Sequence, residues 1–425
     1  MKPTFTEVLE YHVTGVTASP LRTGASDGDT QTILRDNDGV AFVQASSLAG
    51  ALRAWLKEWS GSAARQLFGT GRQEGQLSVS DCVFDKKAAQ ESRPRVRIDP
   101  HTGAAAQGGK FDVTHLPTGT GFSFRLVWRG EAAEVKEAAY RVEKCLAALN
   151  SGAVTLGAHK GIGFGTVHLS EVLCRRYTLT DEKDRQDWLA RTFNGVSVTL
   201  PTAEVRQVRF AVSIAADRLP VKSTTASGVG QEGIGAVPMK ENRAYVVPGS
   251  SLRGVFRAQV GRIAPHCGVT PEQVTDLFGN GGKDCPQVKA GILRFSDGHF
   301  PKPQELPKVT RIRIDRFTGG VVRGGLFSEQ PLEGTLRFTV DLPAGNPEAC
   351  ALLVFALRDM GLGLFTLGSG SSIGNGVARD LRAEITAPTG KAVLEVKNGT
   401  VTVAEGEALV NGWLAALQSH AKGGN

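Results

Sequence analysis

The stretch "RTGASDGDTQTILRD" (22–36) carries two carboxylates two residues apart, Asp27 and Asp29, in a short polar segment broken by glycines. Carboxylate oxygens are hard donors that suit Mg2+ or Mn2+. A cation held there can neutralise a phosphate while a neighbouring hydroxyl attacks it in line. The plainer alternative is that both aspartates only make Asx-turns. Two histidines, His12 and His159, offer a different chemistry, metal-independent acid and base work. A zinc site from His266, Cys267, Cys285 and His299 can be drawn, but its spacing matches no usual finger. The six cysteines form no CxxC pair and read as free thiols of a reducing cytoplasm.

The elements that must position these residues occur twice. "RVRIDPHTGAAAQGGKF" (95–111) returns as "RIRIDRFTGGVVRGGLF" (311–327), identical at nine of seventeen positions, which sets it far above chance. "SSLAGALRA" (46–54) answers "SSLRGVFRA" (250–258), "LFGTG" (67–71) answers "LFGNG" (277–281), and "LGAHKGIGFG" (156–165) answers "LGSGSSIGNG" (367–376). The matches keep their order, so the chain is two copies of one domain with loops of different length. Glycine supplies 52 of 425 residues, in clusters between apolar runs, which points to many turns and to backbone in close approach to something. The net charge of +7 favours a polyanionic partner.

Each copy reads β-α-β-β-α-β, an α+β, ferredoxin-like (RRM-like) fold. In the first copy residues 4–14 alternate as a strand. Ser46 or Ser47 is placed to cap a helix whose Leu48, Leu52, Trp55, Leu56 and Trp59 face the core. Strands follow at 76–84 and 122–128, a helix at 132–149 and a last strand at 166–174. The second copy repeats the order, with a strand near 207–215, a helix from Ser250 or Ser251, alternation from Leu336 to Leu342 and a helix at 347–360. The expected domains are 1–177 and 205–390, joined by a linker at 178–204 and followed by an appendage at 391–425. Each carries a basic, glycine-tipped hairpin insertion, about 85–120 and 286–333. Alternation puts Arg95 and Arg97 on one face of the first hairpin, with Arg311 and Arg313 their counterparts.

"PGSSLRG" (248–254), its relaxed copy "ASSLAG" (45–50), "RIDRFTG" (313–319) and "GIGFG" (161–165) together resemble the RAMP superfamily. Within it the chain is similar to backbone subunits of type III CRISPR effector complexes, in a fused double form like those of III-D variants. The resemblance covers most of residues 1–385. It implies two tandem RAMP domains that track a guide RNA, thumbs formed by the hairpins, a complementary target RNA, neighbouring subunits and a cytoplasmic setting. It also implies an aspartate in the loop after the first strand that supports metal-dependent cleavage of target RNA. The family places that residue about six positions before a basic–acidic pair, here Arg35–Asp36. This ranks Asp29 first as catalytic residue and metal ligand, Asp27 second, and Glu232 in the second copy well behind.

A repeated fold on a repeated polymer needs one phosphate-binding surface per copy. Helix starts at Ser46–Ser47 and Ser250–Ser251 offer amides and a positive dipole end. Arg53, Arg253 and Arg257 lie along the same helices. The loops around His159, Lys160, Gly161 and Gly163, and around Ser371, Ser372 and Gly374, can form anion-binding nests. A strand rather than a helix follows each loop, so neither is a dinucleotide fingerprint, and no organic cofactor is expected. No apolar run approaches membrane-spanning length. Two alternatives stand beside the metal-dependent reading: a pure binding module, and a guide-processing endonuclease using His12 and His159.

Overall fold

A computed structural model describes the chain apart from residues 1–4, 28–29, 100–104, 205, 221, 224–233, 242, 281–287, 371–372 and 424–425. The chain divides into two compact units, one of residues 1–93, 112–160 and 164–204, the other of 94–111, 161–163 and 205–425.

In chain order the first repeat runs β1 (Glu7–Thr17), β2 (Ala25–Asp27), β3 (Thr30–Thr32), α1 (Ala45–Trp59), α2 (Gly61–Phe68), β4 (Leu77–Val79), β5 (Cys82–Phe84), β6 (Glu91–Ile98), β7 (Ala105–His115), β8 (Gly121–Gly130), α3 (Val135–Asn150), β9 (Val167–Thr178) and α4 (Glu182–Leu189). The second runs β10 (Gln207–Leu219), α5 (Gly249–Ile263), α6 (Pro271–Phe278), β11 (Arg294–Phe295), β12 (Gly298–His299), β13 (Val309–Ile314), β14 (Val321–Glu329), β15 (Leu332–Pro343), α7 (Pro347–Gly361), β16 (Val377–Ala387), β17 (Gly390–Lys397), β18 (Thr400–Glu405) and α8 (Glu407–Gly423). Both sheets are ferredoxin-like, with spatial order β9-β1-β8-β5 in the first and β16-β10-β15-β12 in the second. The register repeats too. Val13 lies between Phe124 and Val172, as Val212 lies between Phe338 and Ala383.

Period-2 and period-3.6 patterns account for these elements. Phe122, Phe124, Leu126 and Trp128 alternate along β8 and are all buried, and Leu48, Leu52 and Leu56 form the stripe of α1 beneath them. Each fully buried leucine contributes about 2 kcal/mol from burial alone. Trp55 and Trp59 sit half-buried at the margin of that core. The segment expected as one helix over 132–149 starts with a 3-10 turn, Ala132–Glu134, because Glu131 and Glu134 form a capping box there.

The residues after 390 join the second unit. Strands β17 and β18 widen its sheet beyond β16, and α8 brings Val410, Trp413 and Leu417 into the core, with Trp413 6.1 Å from Phe210 between ring centroids. The segment 178–204 packs on the first unit. Asp181 caps α4, Trp188 lies 5.3 Å from Tyr177, and Phe193 stacks on His12 at 3.6 Å.

Candidate nucleic-acid interface

Helix α1 is capped two or three residues earlier than Ser46 or Ser47 predicts, and by a different device. Its N-cap is Gln44, whose side chain makes no capping bond. Asp81 Oδ1 accepts from the Ala45 N–H at 2.7 Å. Helix α5 is built alike: Pro248 stands at the N-cap, and Asp297 Oδ1 accepts from the Gly249 N–H at 2.7 Å. A carboxylate is a stronger acceptor than a serine hydroxyl and suits the positive helix end, so it takes the cap. The same aspartates break the second strand, expected whole over 76–84. Ser80 Oγ accepts from the Arg125 N–H at 2.8 Å and donates to the Asp81 carbonyl, and Ser296 repeats both bonds with Thr339 and Asp297. "VSDC" (79–82) and "FSDG" (295–298) carry this clasp in the sequence.

With the cap supplied from the sheet, the serines point outward. Ser46 and Ser47 are exposed, as is Ser251, and Ser250 is half-buried. Ser46, Gly50, Arg53, Phe68 and Leu77 line a cleft of about 300 Å3 on the first unit. Arg53 is exposed. Its counterpart Arg257 is also exposed but donates to the Gly279 carbonyl at 2.8 Å. Arg253 is half-buried, and burial followed by the charge of Arg257 pulls its guanidinium below the ordinary value.

The two glycine loops share one backbone. Positive φ occurs at Gly157, His159, Gly163 and Gly165 (74°, 64°, 82°, 88°) and at Gly368, Gly370, Gly374 and Gly376 (77°, 81°, 79°, 74°). Three of the four pairs are glycine in both copies. The fourth sets His159 opposite Gly370, and a left-handed non-glycine residue costs roughly 1–2 kcal/mol. The Leu156 N–H donates to the Gly165 carbonyl at 2.8 Å, and Leu367 does the same to Gly376. Lys160 is half-buried at the head of a 3-10 turn, Lys160–Ile162.

The loop after β1 is stitched to the glycine loop of its own unit. The Ala158 N–H donates to the Arg22 carbonyl and the Gly165 N–H to the Pro20 carbonyl, both at 2.9 Å. Arg22 Nη1 donates to His159 Nε2 at 3.0 Å. Beyond it, β2 and β3 form a hairpin in which Asp27 is opposite Thr30. Asp29, Glu232, Ser371, Ser372 and Cys285 lie outside the described residues.

Each thumb is an antiparallel hairpin. In the first, Arg93 is fully buried at the base with its guanidinium 5.1 Å from the Phe164 centroid, and His115 Nε2 lies 3.7 Å from a Glu91 carboxylate oxygen. Arg95 is half-buried and Arg97 exposed, while Val96 and Ile98 are exposed on the opposite face. In the second, Arg311 pairs with the buried Glu329, which also accepts from Asn375 Nδ2 at 2.8 Å. Arg313 is exposed. Asp315 Oδ1 accepts from the Phe317 and Thr318 amides and from the Thr318 hydroxyl. Donors from Thr318, then Phe317, hold that carboxyl below its ordinary value. Phe317 at the tip is 96% exposed.

Sequence reasoning named the arginines and glycines of these elements but not Asp81, Asp297, Arg22, Glu329 and Phe317, which the fold sets in the same elements. Only the repeated Ser-Asp pair carried a signal. The two candidate acid–base histidines stand in separate settings, His12 stacked on Phe193 and bonded to Glu10 at 2.9 Å, His159 bonded to Arg22. Among the described residues no helix is long and apolar enough to cross a membrane.

No curated protein matches the chain. The sequence profile of the RAMP superfamily matches it twice, over residues 15–168 and 225–379, and each match covers the two long helices, the thumb and the glycine loop of one repeat. The duplication in sequence, in strand register and in loop conformation has one common origin: the chain belongs to the RAMP superfamily.

Proposed function

We propose that the chain is a guide-RNA-binding backbone subunit of a type III CRISPR ribonucleoprotein, a fused double subunit of the III-D-like kind. Its two domains, 1–177 and 205–390, hold guide RNA and complementary target RNA at regular intervals beside other subunits of the complex in the cytoplasm. The observation that carries this reading is the glycine loop, whose four left-handed positions recur in both repeats beside an arginine-bearing thumb. Successive amides in such turns suit phosphate oxygens, and a contact to phosphate serves any guide sequence. Arg97 and Arg313 add charge, and the exposed Phe317 offers a ring face for stacking against a base.

The first domain also cleaves target RNA in this proposal. Asp29, supported by Asp27, would hold Mg2+ or Mn2+, since paired carboxylates are the donor set those ions prefer. The bound cation would supply charge neutralisation at the scissile phosphate. The second repeat, whose nearest acid is Glu232, serves as a binding unit only.

Two measurements test the reading. The chain purified with its native neighbours should carry nucleic acid, and its affinity for single-stranded RNA should fall steeply with salt. A flat salt response defeats the binding claim. Asp27→Ala with Asp29→Ala should lower target cleavage by the assembled complex about a hundredfold or more. Unchanged cleavage would leave the binding module standing alone.

A further inference from the structure

Past the matching stretches 46–54 and 250–258 the two copies part: Trp55 is answered by Gln259, Glu58 by Arg262 and Trp59 by Ile263. Lys144 stands twelve residues before the Leu156 of its glycine loop, as Phe355 stands twelve before Leu367, and in that register Ala147 is answered by Arg358. The first unit fills these positions from within the chain. Trp55 and Trp59 pack against its core, Trp59 meets Tyr140 edge to face with centroids 6.2 Å apart, and the Lys144 ammonium lies 4.7 Å from the Trp59 centroid. Glu204, in the segment after α4, pairs with Lys144. In the second unit Gln259 and Ile263 are too short to fill that space. A cleft of about 370 Å3 remains, lined by Gln259, Arg262, Ile263, His266, Phe355 and Arg358. Its rim is cationic: Arg262 and His266 are exposed, and the half-buried Arg358 holds its guanidinium 5.0 Å from the Phe355 centroid. Asp359 beside them is buried and already bonded, accepting from Arg358 Nε at 2.8 Å and from Gln259 Nε2 at 2.7 Å. Gln259 Oε1 is buried as well and has no hydrogen-bond partner among the described residues, which leaves an acceptor for an incoming N–H.

We propose that this cleft is a docking site for an acidic segment of a neighbouring protein subunit, a stretch of peptide that sets an apolar side chain on Ile263 and Phe355 and a carboxylate beside Arg262 and Arg358. This rests on the reading of the chain as one subunit of a larger complex. Two observations point to that occupant. The first unit holds a peptide of this kind on its own helices: Val198 and Leu200 pack against its core, and Glu204 brings the carboxylate to Lys144. Charge is the second. Arg262 and Arg358 stand where the first copy has Glu58 and Ala147, so these cations belong to one repeat alone. A surface that tracked a regular polymer would keep its cations in both. Cations in one copy over an apolar floor suit a single protein partner, whose complementary charge fixes how it seats.

The test uses the full chain assembled with its native neighbours and nucleic acid, carrying the photoreactive residue benzoylphenylalanine at Ile263 and, in a second sample, at His266. Irradiation should join the chain to one neighbouring subunit, and mass spectrometry should map the joint beside an aspartate or glutamate of that subunit. Arg262→Glu should lower the yield of this product about tenfold, since it sets like charges together. Gln259→Trp gives the second copy the residue of the first. It should fill the cleft and abolish the product, while the chain still binds RNA with an unchanged salt slope. A joint to RNA, to a second copy of this chain, or to nothing overturns the proposal, and so does a yield that Arg262→Glu leaves unaltered. Should Gln259→Trp fail to fold, Arg262→Glu decides, because that side chain is exposed. Neighbours that co-purify but never join at the cleft defeat this inference alone. A chain that associates with no neighbour and no nucleic acid takes down the functional reading with it.

Discussion

On the outer face of the first sheet, Val8, Val127 and Tyr177 form a small second core with Trp188 of α4, and Phe193 lies over His12. The corresponding positions of the second sheet hold Gln207 and Asp341, and beside them Arg209 binds Asp341 through two hydrogen bonds, at 2.7 and 2.9 Å. One fold thus supports two surfaces. The helix-facing side of each sheet is apolar in both repeats because it makes the main core. The outer side is free to follow whatever lies against it. In the first unit that is the segment after β9, and the strands answer with valine and tyrosine. In the second the strands pair their charges across the sheet, among the described residues. The stretch 178–204 is therefore structural material of the first unit and more than a tether.

The largest effect should come from stripping that cover. Trp188→Ala with Phe193→Ala should cost about 2–4 kcal/mol, since both rings are partly buried. Urea unfolding should show the loss in the first unit and leave the second alone, and a uniform loss would break the comparison. Next comes Glu329→Ala, which strands Arg311 and Asn375 at the base of the second thumb. A cost of about 2 kcal/mol is expected for a partly exposed pair, read as faster amide exchange along β14 while the first thumb is unaffected. Arg257→Ala should lose about 1 kcal/mol with its bond to Gly279, and Arg53→Ala should lose none, although both should weaken RNA binding. Equal thermal stability of these two variants would erase that difference between the repeats. The smallest effect concerns pH. The folded pKa of Asp315 lies below its unfolded value, so the turn at the second thumb tip is supported above the ordinary aspartate range and loosens as pH falls through the folded value. Amide exchange of Thr318 checks the sign, and a turn that tightens on acidification would reverse it.

The sequence made the repeat, the β-α-β-β-α-β order and the helix stripe Leu48, Leu52, Leu56 legible, because each is a local period or a match along the chain. Asp81 could not be read as a cap for Ala45. The two are 36 residues apart, and only the folded sheet brings them together. The same holds for Arg22 and His159, 137 residues apart, and for Glu329 with Asn375, 46 apart. The serines at 46–47 and 250–251 fitted a local rule, and the tertiary carboxylate displaced it. The segment after 390 had no partner in the first copy to be compared with, so its union with the second sheet left no repeat to detect.

The Ser-Asp clasp has one more consequence. It ties the head of a helix to a single rung of the sheet beside it. The serine beside the aspartate bonds a fixed residue of the neighbouring strand, so a register shift of one residue would carry the carboxylate off the helix end and release the helix. Each repeat therefore carries an index mark that fixes where its helix begins relative to its strands. Loops can lengthen and a histidine can replace a glycine while that zero point stays put, which lets two diverging copies keep the same seating of helix on sheet.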